Sequence, residues 1–252
     1  MGTSHGMRPY SITAPVSESL RGFFRHGEMI GMLIVDDLRR QYTRSLLGLF
    51  WLLAKPLLLI GLYGALFGVV FQSRSGPGQT PWQYLLVLLT GLLPWLIFAE
   101  GISSASSAIT ANVGLVTKML FPIEVLPVAK VVGTAASGLV GLCVLSGLLV
   151  SMQYVGWALL LLPFLLVAQV VFMVGLAWIL SALNVAVRDT SQILPLALMV
   201  GMFLSPVVYT KEMVPTALAA VFALNPMAYF LDGYRVILLA GQSPALSVWA
   251  VV

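Results

Sequence analysis

The chain alternates between long apolar runs and short polar breaks, and the run lengths carry the first inference. A helix needs about 20 apolar residues to cross the hydrocarbon core of a bilayer, within a range of roughly 17–25. One run extends from Leu46 to Phe71, interrupted only by Lys55-Pro56, and a second runs from Trp82 to Ala99 and stops at Glu100. A third covers Val131 to Met152, a fourth lies within Trp157–Val187 (about 157–182), and a fifth spans Ile193 to Tyr209. Ala245 to Val252 is apolar but too short to cross, so it reads as the start of a sixth span truncated in this chain. Between the fifth and sixth lie Met213–Leu224 and Met227–Ala240, separated by Asn225-Pro226 and closed by Gly241. Pieces of that length are expected as short re-entrant or interfacial helices.

Ahead of the first span, Ile30, Leu33, Ile34, Leu38 and Tyr42 recur at helical spacing, with Asp36, Asp37, Arg39 and Arg40 between them. That pattern predicts an amphipathic helix lying along the membrane surface, serving at least as a topological anchor. The organisation expected is all-α: residues 1–6 a cloning scar before Met7, 7–45 a cytoplasmic segment with the interface helix, and 46–252 a transmembrane domain.

Composition supports the bilayer as solvent. Hydrophobic residues make up 60% of the 252 and charged residues 9%, against roughly 45–50% and about 25% in soluble domains. The first apolar run starts too late and is too long for a cleavable signal peptide. Cys143, the single cysteine, offers neither a disulfide framework nor metal-ligand spacing. With the N-terminus inside, one side of the membrane receives Arg8, Arg21, Arg25, Arg39, Arg40, Arg44, Lys55, Lys118, Lys130 and Arg188; the other receives Arg74, Lys211 and Arg235. Basic residues concentrate on the cytoplasmic side, so the N-terminus is expected there. The stretch "ALNVAVRDTSQ", Ala182 to Gln192, then falls in a cytoplasmic turn between spans four and five.

Candidate chemistry is sparse. No lysine follows a glycine, so no P-loop can hold a nucleotide's phosphates. His5 and His26, the two histidines, lie outside the spans, and H-E-x-x-H and C-x-x-C are absent. Intramembrane carboxylates, which ion-coupled pumps and membrane enzymes use, are nearly absent too. A passive path driven by another protein is the reading this leaves. The spans do carry aromatics: Phe50, Trp51, Tyr63, Phe67 and Phe71 in the first, Trp82, Tyr84, Trp95 and Phe98 in the second. These read either as interfacial belts and packing or as flat faces for sugar rings. Gly64 and Gly68 form one small-xxx-small packing signal.

Three stretches together resemble the membrane subunits of bacterial polysaccharide exporters, type-2 ABC permeases of the O-antigen and teichoic acid type. The first is Asp37 to Trp51, "DLRRQYTRSLLGLFW", followed by Pro56. The second is Gly91 to Val131, containing Asn112, Leu115, Lys118, Phe121 and Pro122 in an Asn-x-x-Leu-x-x-Lys-x-x-Phe-Pro pattern. The third comprises Asn184-Val185, Arg188-Asp189, Ser205-Pro206-Val207, Tyr209, Asn225-Pro226 and Tyr234-Arg235. Gln41 departs from the basic residue many relatives place there.

The resemblance implies a six-span permease that works as a homodimer with two cytoplasmic ATPase subunits. ATP and Mg²⁺ would belong to those partners; no cofactor, metal or nucleic acid is implied for this chain. The substrate would be a lipid-linked polysaccharide, of the undecaprenyl diphosphate kind, exported across the bacterial inner membrane. Asn112, Leu115, Lys118, Phe121 and Pro122 would couple to the ATPase, and Arg39, Arg40 and Arg44 would meet the lipid headgroup at the entrance. Trp51, Tyr63, Phe67, Tyr84, Trp95 and Phe98 would line the glycan channel. Asn225, Pro226, Asp232 and Arg235 would belong to the short gate helices.

Overall fold

The computed structural model describes residues 31–32, 34–35, 47–48, 50–66, 81–114, 123–154, 156–209, 219–245 and 248–249. Among the described residues there is helix, turn and loop but no strand. In chain order the elements are α1 (Phe50–Ala65), α2 (Pro81–Ser106), the single turn α3 (Ala108–Ala111) and α4 (Val125–Ser151). A 3₁₀ turn, Trp157–Leu161, leads into α5 (Leu162–Ala186), followed by α6 (Thr190–Leu204), α7 (Ala219–Leu224) and α8 (Pro226–Arg235), which continues as a π turn, Val236–Ala240. Among the described residues three helical stretches are long and apolar enough to cross a membrane: Trp82–Ser106, Val125–Ser151 and Trp157–Ala186. α1 and α6 are apolar but shorter. The chain is a multi-pass membrane protein.

α2 is the central helix. Between Leu85 and Phe98 only Val87 and Leu96 escape burial, as expected for a helix that is apolar all round and enclosed by neighbours. α4, α5 and α8 pack around it. In α5 the buried residues Leu162, Leu165, Leu166, Gln169, Met173, Ala177, Ser181 and Asn184 follow helical spacing along one stripe. Phe164, Val167, Val171 and Ile179 are exposed on its other side. At Gly138 of α4 the missing side chain leaves room for Ile97 of α2. Gly64 lies beside Leu85, where an added Cβ would be 3.7 Å from Cδ2; Gly68 lies outside the described residues.

Several span boundaries differ from the apolar-run lengths. α2 does not stop at Glu100 but continues to Ser106, because a charged side chain leaves the backbone hydrogen-bond ladder intact. α4 starts at Val125 and carries Lys130 within it. α1 runs straight through Pro56. α6 ends at Leu204, short of Tyr209; Pro206 has no amide proton and pushes Ser205 into extended backbone, observed at φ −107°, ψ 147°. The interface helix is represented only by Gly31, Met32, Ile34 and Val35, all helical. Of the stretch expected to begin a sixth span, Ala245, Val248 and Trp249 are described, the last two helical, and an added Cβ on Gly233 of α8 would meet Val248 at 3.3 Å.

Candidate functional site

The break between α7 and α8 is built by two residues. Asn225 adopts extended backbone (φ −90°, ψ 107°), and its side-chain oxygen accepts from the Met227 amide at 3.0 Å. Pro226 follows at the first helical position, where its missing N–H costs nothing. The same Asn225 amide donates to Ser205 Oγ at 2.8 Å and to the Leu204 carbonyl at 3.3 Å. One side chain therefore starts α8 and satisfies the end of α6. The π turn closes at Gly241, left-handed at φ 63°. Gly156 lies so close to it that an added Cβ would sit 2.9 Å from the Gly241 carbonyl.

The segment after α6 is held from two sides. Arg235, buried at the end of α8, donates from Nη2 to the Val207 carbonyl at 2.7 Å. Tyr84 of α2 donates its hydroxyl to the neighbouring Val208 carbonyl at 3.0 Å. Gly91 makes this approach possible: a Cβ there would fall 2.6 Å from Val207 O and 2.7 Å from Arg235 Nη2. A buried guanidinium is tolerated only with such partners. Asp232, one turn earlier, is half-buried.

At mid-depth, α5 supplies an amide. Gln169 is fully buried; its Nε2 donates to the Pro94 carbonyl of α2 at 2.9 Å, and its Oε1 accepts from the Tyr234 hydroxyl of α8 at 2.8 Å. Aromatic rings run beside it: Trp95–Phe98 with centroids 5.3 Å apart, Phe98–Phe172 at 6.1 Å and near-parallel, Phe172–Phe230 at 5.7 Å. Trp95 and Phe98 bury their rings inside the protomer, and a Cβ on Gly201 of α6 would meet the Trp95 ring at 3.2 Å.

At its C-terminal end, α5 holds both ends of the stretch that the resemblance assigns to ATPase coupling. Asn184 is buried, and its amide donates to the Ser106 carbonyl at 3.0 Å and to Thr110 Oγ1 at 3.3 Å, fixing the α2–α3 junction. Trp178 donates from Nε1 to the Glu124 carbonyl at 3.0 Å, fixing the return into α4. Asn112 closes α3 by donating to the Ala108 carbonyl at 2.7 Å. Leu115, Lys118, Phe121 and Pro122 lie outside the described residues. Arg188 and Asp189 are both exposed in the α5–α6 turn.

Of the remaining expected site residues, Trp51 and Tyr63 are half-buried on α1. Phe67, Arg39, Arg40 and Arg44 lie outside the described residues. A cleft of about 220 Å³ opens between α1, α2 and α4, lined among others by Lys55, Leu59, Leu93, Glu100 and Ser137. Among the described residues no three His, Cys, Asp or Glu side chains gather as a metal site.

Sequence reasoning did not single out Gln169, Trp178 or Gly91. Gln169 had a signal, being the one amide within the apolar run Leu162–Leu180. Unpaired polar groups in hydrocarbon are costly, so such a residue must have partners. Gly91 had no such signal, because its role depends on which carbonyl approaches it.

Residues 29–239 match the family described as ABC-2 type transporter. The O-antigen export system permease protein RfbA of Klebsiella pneumoniae is 29% identical over 234 residues, covering 88% of this chain and 86% of the relative. The protein of the same name from Myxococcus xanthus is 29% identical over 228 residues, covering 89% and 85%.

Proposed function

The chain belongs to the ABC-2 type transporter family, and from that premise we propose that it is the channel-forming subunit of an exporter for a lipid-linked, O-antigen-type polysaccharide. One observation carries the substrate class: similarity to an O-antigen export permease extends over 88% of the chain. The subunit is a transporter component, not an enzyme. In this reading it works as a homodimer in the bacterial inner membrane with its N-terminus in the cytoplasm, paired with two ATPase subunits that bind ATP and Mg²⁺. The undecaprenyl diphosphate-linked form is the substrate chemistry that Arg39, Arg40 and Arg44 fit, since guanidinium groups bind phosphate oxygens in pairs.

The work then divides between two ends of the molecule. ATP-driven closure of the ATPases displaces the coupling stretch around Asn112 to Pro122, and α7 and α8 open or close the outer mouth. Moving a gate from 1% to 99% open requires about 5.5 kcal/mol of differential binding, which the partner must supply. Trp51 and Tyr63, only half-buried on α1, with Phe67, are the channel aromatics that bear on the sugar rings; Tyr84, Trp95 and Phe98 support the wall from within the protomer.

Tyr63→Ala or Phe67→Ala should slow glycan export severalfold while leaving ATP hydrolysis by the assembled complex within about twofold. Export unchanged in both variants would return these rings to packing. The function as a whole is tested by complementation: in cells lacking their own permease, this chain together with its ATPase should restore surface polysaccharide. Restored drug resistance or lipid transport without polysaccharide would assign the permease to another cargo.

A further inference from the structure

We infer that α2, α5 and α8 move as one body, and that Gln169 and Asn184 are the positioning residues through which a displacement at the cytoplasmic coupling stretch reaches the outer gate helix. The inference rests on the gate and coupling roles proposed above and adds the path between them. Asn184 ties the cytoplasmic end of α5 to Ser106 and Thr110, at the junction of α2 and the coupling stretch. Gln169, about four turns further along the same buried stripe, ties α5 to the Pro94 carbonyl of α2 and to the Tyr234 hydroxyl of α8.

Phe172, one turn from Gln169, stacks between Phe98 of α2 and Phe230 of α8. At the outer end Arg235 grips the Val207 carbonyl over Gly91 of α2. Hydrogen bonds join α5 to α2 at Pro94 and Ser106 and join α8 to α5 at Gln169, so sliding of α5 against either neighbour must break directional bonds. In the membrane no water is at hand to replace those bonds.

α1 and α6 contrast with this body. α1 buries only Ala54, and α6 only Thr190 and Leu194. Motion between the two ends of the transporter is therefore carried by the bonded three-helix body, which α1 and α6 join with few buried side chains, α6 chiefly at Gly201 and at the Asn225 bonds to its end.

The test uses the assembled permease–ATPase complex and compares surface polysaccharide, detected by hydrazide labelling after mild periodate oxidation, with ATP hydrolysis by the same complex. Gln169→Leu keeps the side-chain volume and removes both bonds; Tyr234→Phe removes a single oxygen. Export per ATP hydrolysed should fall roughly three- to tenfold in each, the scale of a lost buried hydrogen bond in a membrane protein, with assembly and ATPase rate within about twofold. The double variant should be no worse than Gln169→Leu alone, because both act through one bond. If Gln169→Leu does not assemble, Tyr234→Phe carries the test.

An unchanged ratio of export to hydrolysis overturns the inference, as does a loss of assembly and ATPase in Tyr234→Phe that fully accounts for its lost export. In parallel, Leu224→Cys, at an exposed position on α7, is labelled with a bulky maleimide in a Cys143→Ser background. Blocked export there with an unchanged ratio in Gln169→Leu and Tyr234→Phe removes the path but leaves the gate. Unblocked export with an unchanged ratio removes both.

Discussion

At Gly91 the absence of one carbon decides how closely the segment after α6 approaches α2. A Cβ would fall 2.6 Å from the Val207 carbonyl oxygen, and that oxygen is backbone already held by Arg235. Gly91→Ala should therefore cost about 1–3 kcal/mol, the usual range for overpacking, and lower the Tm of the detergent-purified permease by several degrees. An unchanged Tm would mean that the 205–209 segment adjusts freely. Asn225→Ala should cost about 1 kcal/mol from the lost cap alone and more from the released Ser205 and Leu204 groups; thermal unfolding in the same detergent checks it. At this scale the sequence was legible in part. Asn225-Pro226 announces its cap and break from residue types alone. Trp95 and Phe98, by contrast, are aromatic positions whose burial depends on Phe172, Phe230 and Gly201 arriving from distant parts of the chain.

Among the elements, α5 is hydrogen-bonded to α2, α3 and α8. Its buried stripe holds α2 at Pro94 through Gln169 and at Ser106 through Asn184. Its Trp178 reaches the return into α4. Asn184→Leu should free the α2–α3 junction, so amide hydrogen exchange in a peptide covering Ser106–Asn112 should accelerate about tenfold, the factor for a lost hydrogen bond of about 1.4 kcal/mol. The Pro226–Arg235 peptide should be unaffected; equal acceleration in both would indicate general loosening instead. Helix positions were legible because apolar length is dictated by the bilayer. Helix ends were less so. Hydropathy marks where side chains leave the hydrocarbon, whereas backbone bonding marks where helices stop, and at Glu100 the two part by about two turns. The turn containing Arg188 and Asp189 lies at the surface as its charges suggest, whereas Asn184 of the same motif is buried and hydrogen-bonded on the helix before it.

For the molecule as a whole, the exposed apolar faces of α1 (Phe50, Leu57, Leu62) and α6 (Leu196, Met199, Phe203) lie where lipid or a second copy of the chain would cover them. The headgroup role proposed for the interface helix belongs at this scale. Arg39→Ala combined with Arg40→Ala should lower export without lowering dimer yield, measured as surface polysaccharide against size-exclusion chromatography of the purified permease; normal export would reduce that helix to an anchor. Composition made the membrane class legible at once, and the absent P-loop pointed to an external engine. The cargo was not legible from physical chemistry, because a sugar track and a packing layer use the same aromatic residues. The most direct test of the central claim is to purify the chain from its native host, identify the P-loop ATPase that accompanies it, and express the pair in cells lacking a permease. Surface polysaccharide should appear, and should vanish when the P-loop lysine of the ATPase is replaced. Surface polysaccharide that never appears, or that persists without a working ATPase, would contradict the account.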